Sequence, residues 1–188
     1  MSVPFALFVA ALLATGVMRL VELAVSRARI AARPGVVVAE PALFPAMAGL
    51  HAALVIAPIV EVVAFDRPFV PASFALAVTA LVAATALRVW TLSTLGRVWN
   101  VRVIPPPPDA VVTTGPYRWI RHPNYLCVIL EIAALPLLHA AWGSALLLTA
   151  WNAAVLAVRI PTEERALAEL PTWRAAFADK ARFVPFVW

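Results

Sequence analysis

Two short stretches of this sequence carry residue types that could do chemistry. The first is Gly115-Pro116-Tyr117-Arg118-Trp119-Ile120-Arg121-His122-Pro123-Asn124-Tyr125. Gly-Pro sets a turn, and Pro123 suits the first turn of a helix, where its missing N–H is harmless. Arg121 and His122 then stand at a helix N-terminus, beside unpaired N–H donors and the positive end of the helix dipole. That arrangement can hold a carboxylate or a phosphate, although an ordinary helix start with interfacial Tyr and Trp anchors has the same composition. The second stretch is Arg159-Ile160-Pro161-Thr162-Glu163-Glu164-Arg165. Paired acids beside an arginine can grip ribose hydroxyls or a cation, or can simply favour the first turn of a solvated helix. Asn152, two turns before Arg159, can add a polar contact from within the same helix.

Ionisable residues inside apolar stretches are costly, so each is a candidate functional group. Arg19 and Glu22 lie three apart on one helical face and can pair, or can snorkel to the interface. Glu61 and Arg88 lie near span ends and suit structural ion pairs or interface anchors. Glu131 lies two turns into an apolar helix and must face protein, water or a ligand. His51 in the second apolar stretch is either a buried hydrogen-bond donor or a catalyst. His139 falls at a hairpin tip, where it needs no special role.

The elements that must position these residues are membrane spans. Of 188 residues, 63% are hydrophobic and 13% charged, and the mean hydropathy is +0.90. A soluble domain carries nearly twice that charged share, and a disordered chain cannot keep so much apolar surface hydrated. Spans of around 20 apolar residues are predicted over 3–25, 43–65 and 69–95. Residues 96–123 form an arginine- and proline-rich loop. Residues 124–160 form an apolar pair of helices turning near 136–143, and 161–188 a polar tail. The result is one all-α membrane domain of about five transmembrane helices, the last two a hairpin. The run Pro105 to Pro108 should be a polyproline II spacer of about 12 Å.

Twelve of the fifteen basic residues fall in the first connection, the third loop and the tail. The excess of arginine marks that side as cytoplasmic, which would bring both chemical stretches together on the cytoplasmic face. Lys180 is the sole lysine, and this arginine bias, with Ala, Val and Pro richness, fits a GC-rich bacterial source. The basic residues form no dense run, so no nucleic-acid partner is expected. Cys127 is alone, which rules out an internal disulfide and a multi-cysteine metal site, and no metal is expected. The first apolar stretch lacks a basic leader and is too long for a cleaved signal. No internal repeat supports a transporter. Neither Gly-x-Gly-x-x-Gly, a Walker sequence, Gly-x-Ser-x-Gly nor His-Glu-x-x-His is present, which disfavours hydrolases, kinases and zinc enzymes.

At these residues the sequence resembles the isoprenylcysteine carboxyl methyltransferase family of membrane-embedded, S-adenosylmethionine-dependent enzymes. The matching pieces are Leu95-Gly96-Arg97-x-Trp99, Thr114-Gly115-Pro116-Tyr117, Arg121-His122-Pro123-x-Tyr125 and Arg159-Ile160-x-x-Glu163-Glu164. Arg19-Leu20-x-Glu22-Leu23-x-x-Ser26 and Pro45-Ala46-Met47-x-x-Leu50-His51 resemble a bacterial branch that methylates alkylpyrone and alkylresorcinol lipids. Cys127 replaces a usual glycine, which should narrow the cofactor pocket slightly, and Pro105 to Pro108 replaces a shorter turn.

The resemblance implies a cofactor pocket between the last helix pair and the tail. In that pocket, His122, Pro123, Tyr125, Asn152, Glu163 and the backbone near Tyr117 would bind S-adenosylmethionine. Arg121, Arg159 and Glu164 would serve catalysis, with the arginines nearest the reacting oxygen. Arg19, Glu22 and His51 would meet a lipophilic acceptor entering from the membrane lipid. A carboxylate or acidic hydroxypyrone needs no general base, whereas a phenol, with a pKa of about 10, needs His51 or a glutamate. A phospholipid amine acceptor and a non-enzymatic membrane scaffold are the alternatives. The oligomeric state is not readable from sequence.

Overall fold

The computed structural model describes residues 2–33, 35, 38–39 and 41–184, so positions 185–188 of the expected tail lie outside the described residues. The described chain forms six α-helices: α1 Val3–Ala31, α2 Phe44–Ala64, α3 Pro71–Leu95, α4 Pro123–Leu137, α5 Trp142–Ala168 and α6 Pro171–Phe177. Among the described residues the β-pairing is one isolated parallel bridge, Ile120 with Ala181. Four helices, α1, α2, α3 and α5, are long and apolar enough to cross a membrane. They expose large apolar side chains such as Leu20, Val60, Val82 and Leu146, as lipid-facing helices must. The chain is an all-α integral membrane protein.

Proline sets most of the helix starts. α1, α2, α3, α4 and α6 each carry a proline in the first two positions, where no N–H is lost from the hydrogen-bond ladder. α5 begins instead at Trp142-Gly143, and its first donors are satisfied from α2. The Glu61 carboxylate accepts from Gly143 N–H at 3.0 Å and Ser144 N–H at 2.5 Å. Arg67 completes an ion pair with the same carboxylate at 2.9 Å. Glu61 is thus a cap between helices as well as the structural ion-pair member its position suggested.

Two boundaries differ from the sequence reading. α4 has 15 residues, or about 22 Å at 1.5 Å per residue, which falls short of a hydrocarbon core of about 30 Å. The fourth expected span is therefore a short helix buried among the others. α5 does not stop at Ile160. It continues through Pro161, an interior proline, to Ala168, so Glu163 and Glu164 extend the last long helix rather than open a separate one. An interior proline removes one backbone bond and usually ends a helix, which is why the pattern read as a stop.

The hairpin between α4 and α5 turns at residues 138–141, with Ala140 at φ 53°. Its tip is buried, not exposed: the His139 ring packs on Phe5, Phe8 and Phe69 at 5.5–6.0 Å between centroids. These contacts belong to a core of Phe8, Leu12, Leu50, Leu54, Leu135 and Leu148 at that end of the bundle. A smaller cluster of Tyr125, Leu156 and Ile160 packs at the other end.

The arginine-rich segments gather at this second end. Arg29 donates to the carbonyls of Gly96 at 3.0 Å and Trp99 at 2.7 Å. Ser26 Oγ accepts from Val101 N–H at 3.1 Å, and the Arg102 guanidinium sits 4.4 Å over the Phe44 ring. The loop after α3 is thereby pinned across the ends of α1 and α2, and it roofs the site described next.

Candidate active site

A turn that only glycine permits builds the first wall. Gly115 has φ 58°, and a Cβ there would fall 2.3 Å from Thr94 Oγ1 on α3. Without a side chain, the short helical turn Gly115–Arg118 seats against the end of α3 and carries Tyr117 to the site. Desolvation pushes the Tyr117 phenol well above its usual range, with the charge of Glu163 adding to the effect. Tyr117 is a neutral hydroxyl at physiological pH.

The C-terminal segment closes over this turn. Arg121 N–H donates to Ala181 O at 2.9 Å and His122 N–H to Arg182 O at 3.0 Å. The Arg121 side chain adds bonds to the carbonyls of Lys180, 2.7 Å, and Ala178, 2.8 Å. Lys180 Nζ returns a bond to Tyr117 O at 2.8 Å. Glu164 on α5 locks the arrangement, taking Arg182 at 2.7 Å, His122 Nε2 at 3.1 Å and Arg121 at 3.4 Å. The bond to Glu164 raises the pKa of Arg182, so this clasp stays charged.

Between these walls lies a cavity of about 130 Å³, lined by Trp99, Tyr117, His122, Asn124, Tyr125 and Glu163 among others. Pro106 also lines it, and Pro107 has φ −54° and ψ 150°. The run is therefore extended at Pro107 as expected, whereas Pro108 already opens a short 3-10 turn over Pro108–Ala110, and Pro106 forms part of a wall. Trp173 and Phe177 of α6 stack at 5.3 Å and face the same space. Three buried polar atoms of its lining have no protein partner: Trp99 Nε1, Asn100 Oδ1 and Asn124 Oδ1. Buried polar groups are nearly always bonded, so these three atoms leave unused hydrogen-bonding capacity in the lining. One acid, Glu163, with orphaned amide and indole groups and flat aromatic faces, suits the ribose, cationic and adenine parts of S-adenosylmethionine.

A second cavity, about 520 Å³, lies beside the first and is lined largely by apolar residues of α1, α2 and α5, including Leu13, Val17, Val55 and Leu156. Trp99, Asn124, Tyr125 and Arg159 line both cavities. Arg159 Nε donates to Tyr125 Oη at 2.6 Å and Nη2 to Val101 O at 2.5 Å. Its Nη1 contacts Met47 Sδ, and Tyr125 in turn donates to Glu163. A chain Arg159–Tyr125–Glu163 thus crosses the partition from the apolar cavity to the polar one.

The floor of the apolar cavity is charged but balanced. Arg88 forks onto Glu131, Nε to Oε1 at 2.9 Å and Nη2 to Oε2 at 2.7 Å, and reaches Glu22 at 3.2 Å. Arg19 bonds Glu22 at 2.5 Å and also pairs with Glu131. Two arginines and two glutamates from α1, α3 and α4 neutralise one another in the bundle interior, which offsets the cost of burying each. Arg88 is a buried tie between helices, not an interface anchor. His51 lines the same cavity, with Nδ1 2.8 Å from Met47 O.

The structure brings Tyr117, His122, Tyr125, Glu163 and Arg121 around the small cavity, and Arg19, Glu22 and His51 around the large one. Asn152 lines the large cavity and not the small one, where the cofactor reading put it. Glu164 and Pro123 line neither: Glu164 serves the clasp and Pro123 starts α4. The Arg121 guanidinium binds C-terminal carbonyls, while Arg159 faces both cavities. Cys127 is fully buried, bonded to Pro123 O at 3.2 Å, and lines neither cavity. Sequence reasoning passed over Asn124, Met47 and the aromatic pair of α6. An asparagine at the second position of a helix after His-Pro was the available signal for Asn124.

A sequence model described as "Isoprenylcysteine carboxyl methyltransferase (ICMT) family" matches residues 75–169. That range contains the loop, the hairpin and the arginine–tyrosine partition. "Uncharacterized protein YpbQ" of Bacillus subtilis (strain 168) is 36% identical over 127 residues, covering 67% of this chain and 74% of that protein.

Proposed function

The chain belongs to the isoprenylcysteine carboxyl methyltransferase family of membrane methyltransferases, and from that premise we propose that it methylates an oxygen of a lipophilic acceptor. The observation that carries this reading is the shared wall: Arg159 and Tyr125 stand between a polar cavity and an apolar one. Such a division suits two substrates of opposite polarity that must meet at one point.

When bound, S-adenosylmethionine supplies a methyl group already activated by its sulfonium. The chain's own residues then bind and align, which is the main requirement for an in-line displacement. Glu163 and Tyr117 would hold the ribose or the charged end. Asn124 and Trp99 would use their unpartnered atoms, and Trp173 with Phe177 would face the adenine. His122 and Arg121 act mainly through the clasp that keeps the C-terminal segment shut. Arg159 would orient the acceptor oxygen from the partition, since a guanidinium can bind an anion but cannot serve as a base.

The acceptor tail would lie along α1 and α2 in the large cavity, reached sideways from the membrane lipid. The polar cavity lies at the arginine-rich end, which by the excess of basic residues would face the cytoplasm of a bacterial cell. Alkylpyrone and alkylresorcinol lipids fit this division, as does an isoprenylcysteine-like carboxylate. An amine acceptor fits less well, because the partition presents an arginine rather than a free carboxylate.

Calorimetric titration of the detergent-solubilised protein with S-adenosylhomocysteine tests the reading. Saturable binding of about one per chain supports it. A folded protein that binds none withdraws the enzyme and leaves a small membrane scaffold as the better account.

A further inference from the structure

We propose that His51 takes the proton from the acceptor, which narrows the substrate class to lipids whose reacting oxygen arrives as a phenol-type hydroxyl. The inference rests on the methyltransferase reading above.

The tautomer comes from geometry. His51 Nδ1 lies 2.8 Å from Met47 O, and a carbonyl oxygen only accepts, so Nδ1 carries the hydrogen. The neutral ring then keeps its lone pair on Nε2. A lone pair lining the acceptor cavity is complementary to an O–H and repels a carboxylate, which has no hydrogen to offer. Met47, one turn earlier on α2, touches Arg159. His51 therefore stands one helical turn from the contact point of the arginine that faces both cavities.

Every other candidate base on that cavity is engaged. Glu22 is held by Arg19 and Arg88, and Glu131, directly behind it, by the same two arginines. Tyr125 sits between Arg159 and Glu163. The charged groups around His51 are Arg19 and Glu22 from α1, Arg88 from α3, Glu131 from α4 and Arg159 from α5. The quartet among them is neutral overall, which leaves Arg159 as the net charge on that cavity.

The step balances as follows: the acceptor O–H bond breaks, its pair stays on oxygen, and the proton passes to His51 Nε2. The new O–CH₃ bond forms with that pair as the S–CH₃ bond breaks, its electrons remaining on sulfur. His51 then releases the proton to water.

The test compares a long-chain alkylphenol, the same chain on a more acidic nitrophenol, and a fatty acid of equal length. The expected result is methylation of the phenol with kcat/KM rising through the imidazole range. H51Q should lower this by about 10²–10⁴-fold and abolish the rise, yet cost the self-ionising nitrophenol less than about tenfold. With no cofactor present, nitrophenol absorbance should move toward the phenolate form on binding wild type below its own ionisation, and not on binding H51Q. Unchanged S-adenosylhomocysteine affinity confirms the fold, and H51N repeats the test should H51Q fail to fold. Equal losses for phenol and nitrophenol, or methylation of the fatty acid alone, overturn the proposal. Failure of wild type to bind S-adenosylhomocysteine overturns the methyltransferase reading instead, and the absorbance titration still decides the role of His51.

Discussion

Arg159 Nε donates to Tyr125 Oη across 2.6 Å, and both side chains line the polar and the apolar cavity at once. The pair joins α5 to α4 at the point where a water-soluble donor and a lipid acceptor would have to meet. Because Arg159 is buried and fixed at several donors, its geometry matters as much as its charge.

Arg159→Lys keeps the charge but loses the planar fork. Turnover should fall by about 100-fold, while S-adenosylhomocysteine affinity changes less than about threefold. Steady-state rates set beside calorimetric affinities check this. Equal falls in both would assign Arg159 to the cofactor.

Glu163→Ala and His122→Ala should each weaken S-adenosylhomocysteine binding by about 10- to 100-fold, the range of a charged hydrogen bond. Glu163 would act directly from the cavity wall, and His122 partly through its contact with Glu164. Near-normal affinity in folded versions of both variants would sink the two-walled pocket.

Arg88→Met leaves Glu131 buried with its forked partner gone, which should destabilise the protein by about 3–5 kcal/mol. The double variant Arg88→Met with Glu131→Leu keeps the neutral Arg19–Glu22 pair and should be more stable than the single one. Thermal unfolding in detergent measures both. A double variant that melts below the single one refutes the charge-balance account.

Arg121→Ala removes the donors to Lys180 O and Ala178 O and one ion pair to Glu164. The C-terminal segment should open, showing faster protease cleavage near residues 178–182 and weaker cofactor binding. Wild-type cleavage rates would mean that Arg182 and the Ile120–Ala181 bridge suffice.

Gly16 lines the apolar cavity, and a Cβ there would come 3.1 Å from Val55 Cγ2. Gly16→Leu should fill that part of the tail site and shift preference toward shorter acceptors by about tenfold, the effect of one or two lost methylene contacts. Competition between acceptors of different chain length reads it out. An unchanged length profile would move the tail out of this cavity.

Much of this was legible because it depends on local properties of the chain. Hydropathy identifies apolar segments by summation over neighbours, prolines mark helix starts through one missing N–H, and arginine placement sorts the loops by side. The two chemical stretches could likewise be read from helix-end chemistry around His122-Pro123 and from the acids after Arg159. Pro161 shows the limit of such reading, since a local helix breaker was absorbed within a longer helix.

Pairing across the bundle depends on how helices cross, which no local pattern encodes. Arg88 and Glu131 lie 43 positions apart, and only the packing of α3 on α4 turns two costly buried charges into one forked ion pair. The packing likewise set Asn152 on the apolar cavity rather than the polar one and tied Glu164 to Arg121, His122 and Arg182. It also set the imidazole of His51 in the same cavity as Arg159. The sequence by itself determined which residues must leave water and which must stay near it. The tertiary structure decided which of them meet, because a buried polar group is stable only beside its partner, and that partner comes from a distant helix.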